Sequence, residues 1–238
     1  VRVLKSHEKI DSDTLFLGDS VGAQLFPLFS GENHLTTTGN VYTAGHYMLA
    51  RNAVEYNRNI KKIYLLSVPH IIGLNFERER TYNNFLKPFF TYSNFSFFDD
   101  ELLSMIGREP LAFPALTNLY KILPISDFNY DNGNRRNFRV LSDFSVKYLL
   151  KMKKLAKEHD IKLRVVSPPV REMFRDKTGN WEDMRKQVKK CGLGDIFQGY
   201  FDNIVYLPDK DFRDRIHLKN ENIERYREII RVNLGKND

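Results

Sequence analysis

Short runs rich in residues that favour β-strands recur along the chain, and each is followed directly by a glycine or a proline. Runs of this length with such boundaries are typical of buried strands in a parallel sheet. The runs that predict strands are Asp13–Leu17, His34–Thr38, Ile63–Val68, Lys162–Ser167 and Ile204–Leu207. The sequence therefore predicts five strands distributed over most of its length.

Segments with helical periodicity lie between these runs. The clearest helix is predicted over Ser142–His159, where apolar side chains recur every three or four residues and form one face. Further helices are predicted over Gly45–Tyr56, Trp181–Cys191 and Asn220–Val232. Strands that alternate with helices predict βαβ units, and so a single three-layer α/β domain over residues 1–238 with a central parallel sheet flanked by helices.

Residues 75–140 interrupt the alternation, because they separate the third strand from the long helix by far more than a usual connection. The stretch is rich in phenylalanine and tyrosine, and short helices are predicted at about 81–90, 99–107 and 111–122. We interpret it as a helical, aromatic-rich insertion. It could be a subdomain with its own small core, a lid or wall that binds an acceptor, or both.

Composition narrows the classes of function. Hydrophobic residues make up 42% of the chain, which supports a sizeable core and excludes global disorder. The net charge is +7, but basic residues are scattered among acidic ones, and the densest runs, Lys151–Lys157 and Arg185–Lys190, are typical of solvated helix faces. No nucleic-acid partner is predicted. No apolar run approaches about 18 residues, so no membrane span is predicted in this chain.

The first predicted strand runs directly into Gly18-Asp19-Ser20. A serine just beyond the carboxyl end of a parallel strand lies at the sheet edge where α/β proteins bind ligands. A helix that starts near residues 21–24 would direct backbone N–H groups to the same place and favour negative charge there. Ser20 could then attack an acyl carbon while its own N–H helps to hold the oxyanion. The alternative is that Ser20 caps an ordinary strand-to-helix turn.

A second polar motif, Asp214-Arg215-Ile216-His217, lies between the last predicted strand and the last helix. An aspartate three residues before a histidine can reach the imidazole Nδ1, fix its tautomer and stabilise its cation. Imidazoles ionise near neutral pH, so they can act as bases. The alternative is that Asp214 caps a turn and His217 lies on the surface. Both motifs follow strands at one sheet edge, and the order Ser, Asp, His is workable.

Taken together, Gly18-Asp19-Ser20 and Asp214-x-x-His217 resemble the motifs of the SGNH, or GDSL-type, hydrolase superfamily. The resemblance spans nearly the whole chain in layout but only these short motifs in identity. It implies a flavodoxin-like sheet flanked by helices, with Ser20 as nucleophile, His217 as general base and Asp214 as its orienting group. The family includes lipases, carbohydrate esterases and polysaccharide O-acetyltransferases.

The resemblance also implies an oxyanion donor from a glycine after the second strand, for which Gly45 fits best and Gly39 is the alternative. His46, next to Gly45, is predicted to line the substrate pocket. The family's third donor is an asparagine in a Gly-x-Asn-Asp block after strand three, but this sequence reads Ser67-Val68-Pro69-His70 there. His70 could occupy that region, or Asn75 could reach back to it. The predicted oxyanion hole is therefore incomplete.

Several other residues are of types that could take part in binding or chemistry. His34, His46 and His70 could gather near the site, but no metal is predicted because the metal-ligand spacings are missing. Arg171, after the Pro168-Pro169 pair, could meet an anionic substrate or be an ordinary surface residue. The chain has no glycine-rich phosphate loop, so no nucleotide or other cofactor is predicted. Cys191 is the only cysteine, so no intrachain disulfide can form.

The resemblance implies hydrolysis of a small acyl ester, such as an acetyl ester on a bacterial surface carbohydrate. One alternative is a polysaccharide O-acetyltransferase with the same triad, and another is a non-catalytic glycan-binding relative. The chain starts at Val1, so an upstream segment is expected to have been removed. Together with a glycan substrate this favours the periplasm or the cell surface over the cytoplasm. The acyl group, the acceptor and the oligomeric state stay open.

Overall fold

The computed structural model describes residues 9–26, 34–36, 43–72, 100, 140–178 and 181–235. The strands are β1 (Thr14–Gly18), β2 (His34–Thr36), β3 (Lys62–Leu66), β4 (Lys162–Val166), β5 (Val170–Arg171) and β6 (Tyr206–Leu207). The α-helices are α1 (Ser20–Leu25), α2 (Thr43–Tyr56), α3 (Pro69–Ile72), α4 (Asp143–Glu158), α5 (Met173–Thr178), α6 (Glu182–Lys190) and α7 (Ile223–Gly235). Almost all of the predicted insertion at residues 75–140 lies outside the described residues.

Four strands form one parallel sheet in the order β2-β1-β3-β4. β1 pairs with β3 from Thr14 opposite Lys62 to Gly18 opposite Leu66. This order places β1 inside the sheet, between β2 and β3, and it is the order of a flavodoxin-like fold. The predicted α/β class, with a central parallel sheet flanked by helices, is confirmed.

Successive side chains of a strand point to opposite faces of the sheet, and both faces of this sheet are buried. Leu15 and Leu17 of β1 belong to a large apolar cluster that includes the buried faces of α2 and α4. Phe16, between them, packs against a second cluster to which α1 and α7 contribute. The ring of Phe16 stacks on that of Phe26, with 4.7 Å between the ring centroids. Helices therefore cover the sheet on each side.

Helix α4 follows the predicted periodicity closely. Its buried residues Tyr148, Met152 and Ala156 are four positions apart and belong to the large cluster. Ser142 caps its first turn, because the Ser142 hydroxyl accepts the N–H of Ser145 at 3.0 Å. His159 lies at the other end as the C-cap. The predicted helix over Ser142–His159 thus corresponds to α4 together with its two capping residues.

The last predicted strand differs from the expectation. β6 does not extend the four-stranded sheet; it pairs in parallel with β5 in a separate two-stranded sheet, with Val170 opposite Tyr206. The segment after Pro168-Pro169 contains β5, which is not among the predicted strands. Two-residue strands are too short to show periodicity, and the prolines before β5 lack the N–H that would continue the ladder of β4.

Trp181 ties the small sheet to α6. Its buried indole N–H donates to the hydroxyl of Tyr206 in β6 over 2.8 Å. The backbone of Trp181 has a left-handed φ of 64°, and α6 begins at the next residue. The predicted helix over Trp181–Cys191 therefore includes two residues that flank α6.

Among the described helices none is both long and apolar enough to cross a bilayer.

Candidate active site

Ser20 is the first residue of α1 and follows the interior strand β1 after a single intervening residue. That residue, Asp19, is the N-cap: its Oδ1 accepts the N–H of Val21 at 2.9 Å and that of Gly22 at 3.4 Å. The alternative in which Ser20 caps the turn is therefore wrong, because Asp19 does so. The side chain of Ser20 is left for other contacts at the carboxyl edge of the sheet.

Gly18 allows α1 to turn back tightly over the sheet. A Cβ atom at Gly18 would lie 3.1 Å from the Cα of Gly22 and 3.1 Å from the carbonyl oxygen of Leu66. Both are backbone atoms, which cannot move aside as a flexible side chain can. The absence of a side chain at Gly18 thus permits the close approach that places Ser20.

The loop after β6 carries the other two predicted residues. An isolated antiparallel bridge between Phe212 and Leu218 closes this loop, and the N–H of Arg213 donates to the carbonyl of His217 over 2.9 Å. Asp214 lies inside the loop, where its Oδ1 accepts the N–H of Ile216 at 2.9 Å and that of His217 at 2.8 Å. Asp214 therefore organises the turn, as the alternative interpretation expected.

Asp214 also contacts the imidazole of His217. The Nδ1 of His217 lies 2.8 Å from Oδ2 and 3.0 Å from Oδ1 of Asp214. Burial by itself raises the pKa of Asp214, but the two backbone N–H donors and the neighbouring imidazole outweigh it and leave that pKa lowered. The carboxylate is thus ionised at neutral pH and accepts from the Nδ1–H tautomer.

The two halves of the site meet at Ser20. The Nε2 of His217 lies 2.9 Å from the Oγ of Ser20, although the residues are 197 positions apart. This distance is within the reach required for proton transfer between a hydroxyl and an imidazole. The imidazole side chain is 18% exposed, so it is largely shielded from solvent. The structure brings together all three side chains that the sequence predicts, in the order Ser, His, Asp of a hydrogen-bonded triad.

A second carboxyl group lies close to this triad. Asp19 is buried, and burial raises its pKa to about 6, against the opposing effects of its backbone N–H donors and of the charge on His217. Asp19 therefore carries a negative charge at neutral pH and loses it in mildly acidic solution.

Gly45 and His46 lie in the first turn of α2, and both are buried. His46 is 2% exposed, and its ring bonds to the backbone of Gly18, two residues before Ser20. Burial lowers the pKa of His46 to about 4, so its ring is neutral at physiological pH. Its Nε2 has no hydrogen-bond partner within the described part of the chain. The oxyanion role of Gly45 and the pocket role of His46 stay predictions.

The other candidate positions contribute less. His70 is the second residue of α3 and His34 the first of β2, and only their backbones are described. Gly39 and Asn75 lie outside the described residues. Among the residues that the structure describes, no three histidine, cysteine, aspartate or glutamate side chains are grouped to hold a metal.

Arg171 has a role that sequence reasoning did not foresee. Its Nε lies 2.9 Å from Oδ1 of Asp209, and its Nη2 lies 2.6 Å from Oδ2 of the same carboxylate. Its Nη1 donates over 3.4 Å to the backbone carbonyl of Asp214. Arg171 therefore braces the loop that carries Asp214. Its partners are distant along the chain, so no local pattern signals the pairing.

Gln24 also contacts the loop, and it is not among the residues that the sequence singles out. Its carboxamide Nε2 donates to the carbonyl of Leu218 over 2.7 Å, and the N–H of Leu218 donates to its Oε1 over 3.0 Å. Gln24 lies one helical turn after Ser20, and Leu218 is next to His217. The one-turn spacing is visible in the sequence, but the partner of Gln24 is not.

Comparisons with known proteins give little further information. No protein-family model matches the chain, and no curated protein matches it. Among solved structures, the chain is similar to a protein of Streptococcus pneumonia described provisionally as a platelet activating factor. The two are 13% identical, the match covers 98% of this chain and 88% of that one, and the TM-score is 0.41.

Proposed function

We propose that this protein is a serine-dependent hydrolase of ester bonds, with Ser20 as nucleophile, His217 as general base and Asp214 as the group that orients His217. The observation that carries the proposal is the 2.9 Å contact between Ser20 Oγ and His217 Nε2, extended by the 2.8 Å contact between His217 Nδ1 and Asp214. A hydroxyl, an imidazole and a carboxylate linked in this order can activate the hydroxyl for attack.

In the first half-reaction Nε2 of His217 accepts the proton of Ser20 as Oγ attacks the acyl carbon. The carboxylate of Asp214 stabilises the imidazolium that forms. The tetrahedral intermediate then collapses: the bond to the leaving oxygen breaks, and that oxygen takes the proton from Nε2. The alcohol leaves, and the acyl group stays on Ser20 as an ester.

In the second half-reaction a water molecule gives a proton to Nε2 and attacks the acyl carbon. The bond between that carbon and Ser20 Oγ breaks, and Oγ takes the proton back from Nε2. The products are a carboxylic acid and the regenerated serine. A sugar hydroxyl in place of water would give acyl transfer by the same steps.

The proposed oxyanion donors are backbone N–H groups. Those of Val21 and Gly22 already donate to Asp19. We therefore assign the developing negative charge to the N–H groups of Ser20 and Gly45, the latter by analogy with SGNH hydrolases. Each such donor contributes a factor of about 10² to 10³ to turnover in a well-formed site. The substrate class we propose, a small acyl ester of a carbohydrate, also rests on that resemblance.

A fluorophosphonate probe tests the nucleophile. Ser12 offers a matched control, because it lies just before β1 at the opposite edge of the sheet. We expect the wild type and Ser12→Ala to be labelled and to hydrolyse p-nitrophenyl acetate. Ser20→Ala should not be labelled, and its turnover should fall by about 10³-fold or more. An unlabelled wild type, or labelling that persists in Ser20→Ala, contradicts the proposal.

Replacement of Asp214 tests the orienting group. Asp214→Asn keeps the shape of the side chain but presents an amide to Nδ1, which favours the wrong tautomer of His217. We expect kcat to fall by about 10² to 10⁴-fold while the protein stays folded.

Product analysis with an acetylated oligosaccharide gives the reaction type: free acetate supports the hydrolase, and acetyl transferred to a second sugar supports the transferase.

A further inference from the structure

The carboxamide of Gln24 pairs with the backbone of Leu218 as one peptide group pairs with another in a sheet. It donates to the Leu218 carbonyl over 2.7 Å and accepts the Leu218 N–H at 3.0 Å. The two residues are 194 positions apart along the chain. Leu218 is buried and Gln24 is half-buried, so the pair is partly shielded from competition by water.

This pair links the two chain segments on which the proposed chemistry depends. Gln24 is on α1, one turn beyond Ser20, and Leu218 directly follows His217. Leu218 also closes the loop through its bridge to Phe212. A fixed distance between Gln24 and Leu218 therefore limits how far α1 and the loop can slide past each other, and hence the distance from Ser20 Oγ to His217 Nε2.

We propose that Gln24 is a positioning residue, whose side chain holds Ser20 and His217 in register. The proposal rests on the function proposed above. Gln24 acts through the backbone of Leu218, so its effect is on alignment. Misplacement of reacting groups by about 1 Å can cost about 10²-fold in rate.

Gln24→Met tests the role. Methionine keeps the length and the apolar stem of the side chain but removes both hydrogen bonds to Leu218. We expect the rate of fluorophosphonate labelling at Ser20, and kcat for p-nitrophenyl acetate, to fall by about tenfold or more. KM should change by less than kcat, because alignment with the base, and not ester binding, is lost.

The chain offers a matched control in Gln187. Its carboxamide makes the same two bonds, accepting the N–H of Leu141 at 2.6 Å and donating to the Leu141 carbonyl over 3.0 Å. Gln187 lies on α6, and its partner precedes α4, so neither element carries a triad residue. Gln187→Met should lower the midpoint of urea unfolding much as Gln24→Met does, and leave both rates within about twofold of wild type.

Gln24→Glu gives a second readout that a purely structural role would not move. At neutral pH the carboxylate accepts the N–H of Leu218 but cannot donate to its carbonyl. A protonated carboxyl group can do both. The labelling rate of Gln24→Glu relative to wild type should therefore rise as the pH is lowered toward about 5. This variant also serves as the test if Gln24→Met does not fold.

The outcomes separate the two proposals. Wild-type rates in Gln24→Met, or equal slowing in Gln187→Met at a matched loss of stability, would overturn the positioning role alone. A flat ratio of Gln24→Glu to wild type across pH would also count against it. A wild type that is not labelled overturns the proposed function and this inference with it.

Discussion

Arg171 and Asp209 face each other in a two-bond pair, with Nε 2.9 Å from Oδ1 and Nη2 2.6 Å from Oδ2. Arg171 belongs to β5, and Asp209 follows β6, the strand that pairs with β5. The pair therefore lies at the base of the loop that carries Asp214 and His217. Its position indicates that the guanidinium supports the loop.

Replacement of Arg171 by lysine distinguishes support of the loop from binding of an anionic substrate. Lysine keeps the charge but cannot form the forked pair with Asp209. We expect a loss of about 1 kcal/mol in the free energy of unfolding, since the pair is partly exposed. KM for a neutral aryl acetate and for one that bears a carboxylate should change by the same factor. A rise in KM for the anionic ester alone would instead make Arg171 a substrate-binding group.

Asp19 should make the protein less stable as the pH rises. Burial raises its pKa from the usual 3.8 to about 6, so between these values the folded state holds more protons than the unfolded state. The stability that Asp19 contributes is present below about pH 4 and is lost as the pH rises through 6, by about 3 kcal/mol. Asp19→Asn should remove this loss, as measured by urea unfolding at several pH values. An unchanged pH profile would contradict the raised pKa.

His46 should have the opposite effect in nearly the same range. Burial lowers its pKa from the usual 6.5 to about 4, so the unfolded state holds more protons between these values. The stability that a neutral His46 contributes is present above about pH 6.5 and is lost as the pH falls through 4, again by about 3 kcal/mol. In His46→Gln the loss of stability with rising pH that Asp19 causes should therefore appear without the opposing gain from His46. Its unfolding profile, compared with that of Asp19→Asn, shows whether the two groups offset each other.

Gly18 should tolerate no side chain. A Cβ there would meet two backbone atoms at 3.1 Å, so Gly18→Ala should lower the free energy of unfolding by about 1 to 3 kcal/mol. Gly22 is the matched control, because a Cβ there meets its nearest atom, a side-chain carbon of Leu66, at 3.4 Å. Gly22→Ala should change stability by less than about 1 kcal/mol, since the contact is ordinary and alanine favours the helix. Equal losses in both variants would mean that α1 can move away from β3.

The elements of the central sheet could be predicted because their signals are local. β1, β3 and β4 each differ from the predicted run by no more than two residues at either end. The same holds for α4, whose apolar face repeats over four turns. β5 and the separate small sheet could not be predicted, because a two-residue strand has no period and its pairing depends on a segment far along the chain.

In the candidate site too, local features could be predicted and long-range contacts could not. Its residues were identified from short motifs, but their capping and bracing contacts were not. Asp19, adjacent to Ser20, proved to be the helix cap, and the partners of Arg171 and Gln24 lie at least 38 positions away. Side-chain partners at such separations depend on how whole elements pack, which no window of sequence contains.

By itself, the sequence determined the class of fold and singled out Ser20, Asp214 and His217 as a set of groups suited to acyl chemistry. Chemical type and local order are properties of a residue and its neighbours. Only the tertiary structure decided that Ser20 Oγ and His217 Nε2 lie 2.9 Å apart. That distance results from the packing of α1 and of the loop after β6 on one side of the sheet. There, apolar contacts and the pair of Gln24 with Leu218 bring two distant parts of the chain together.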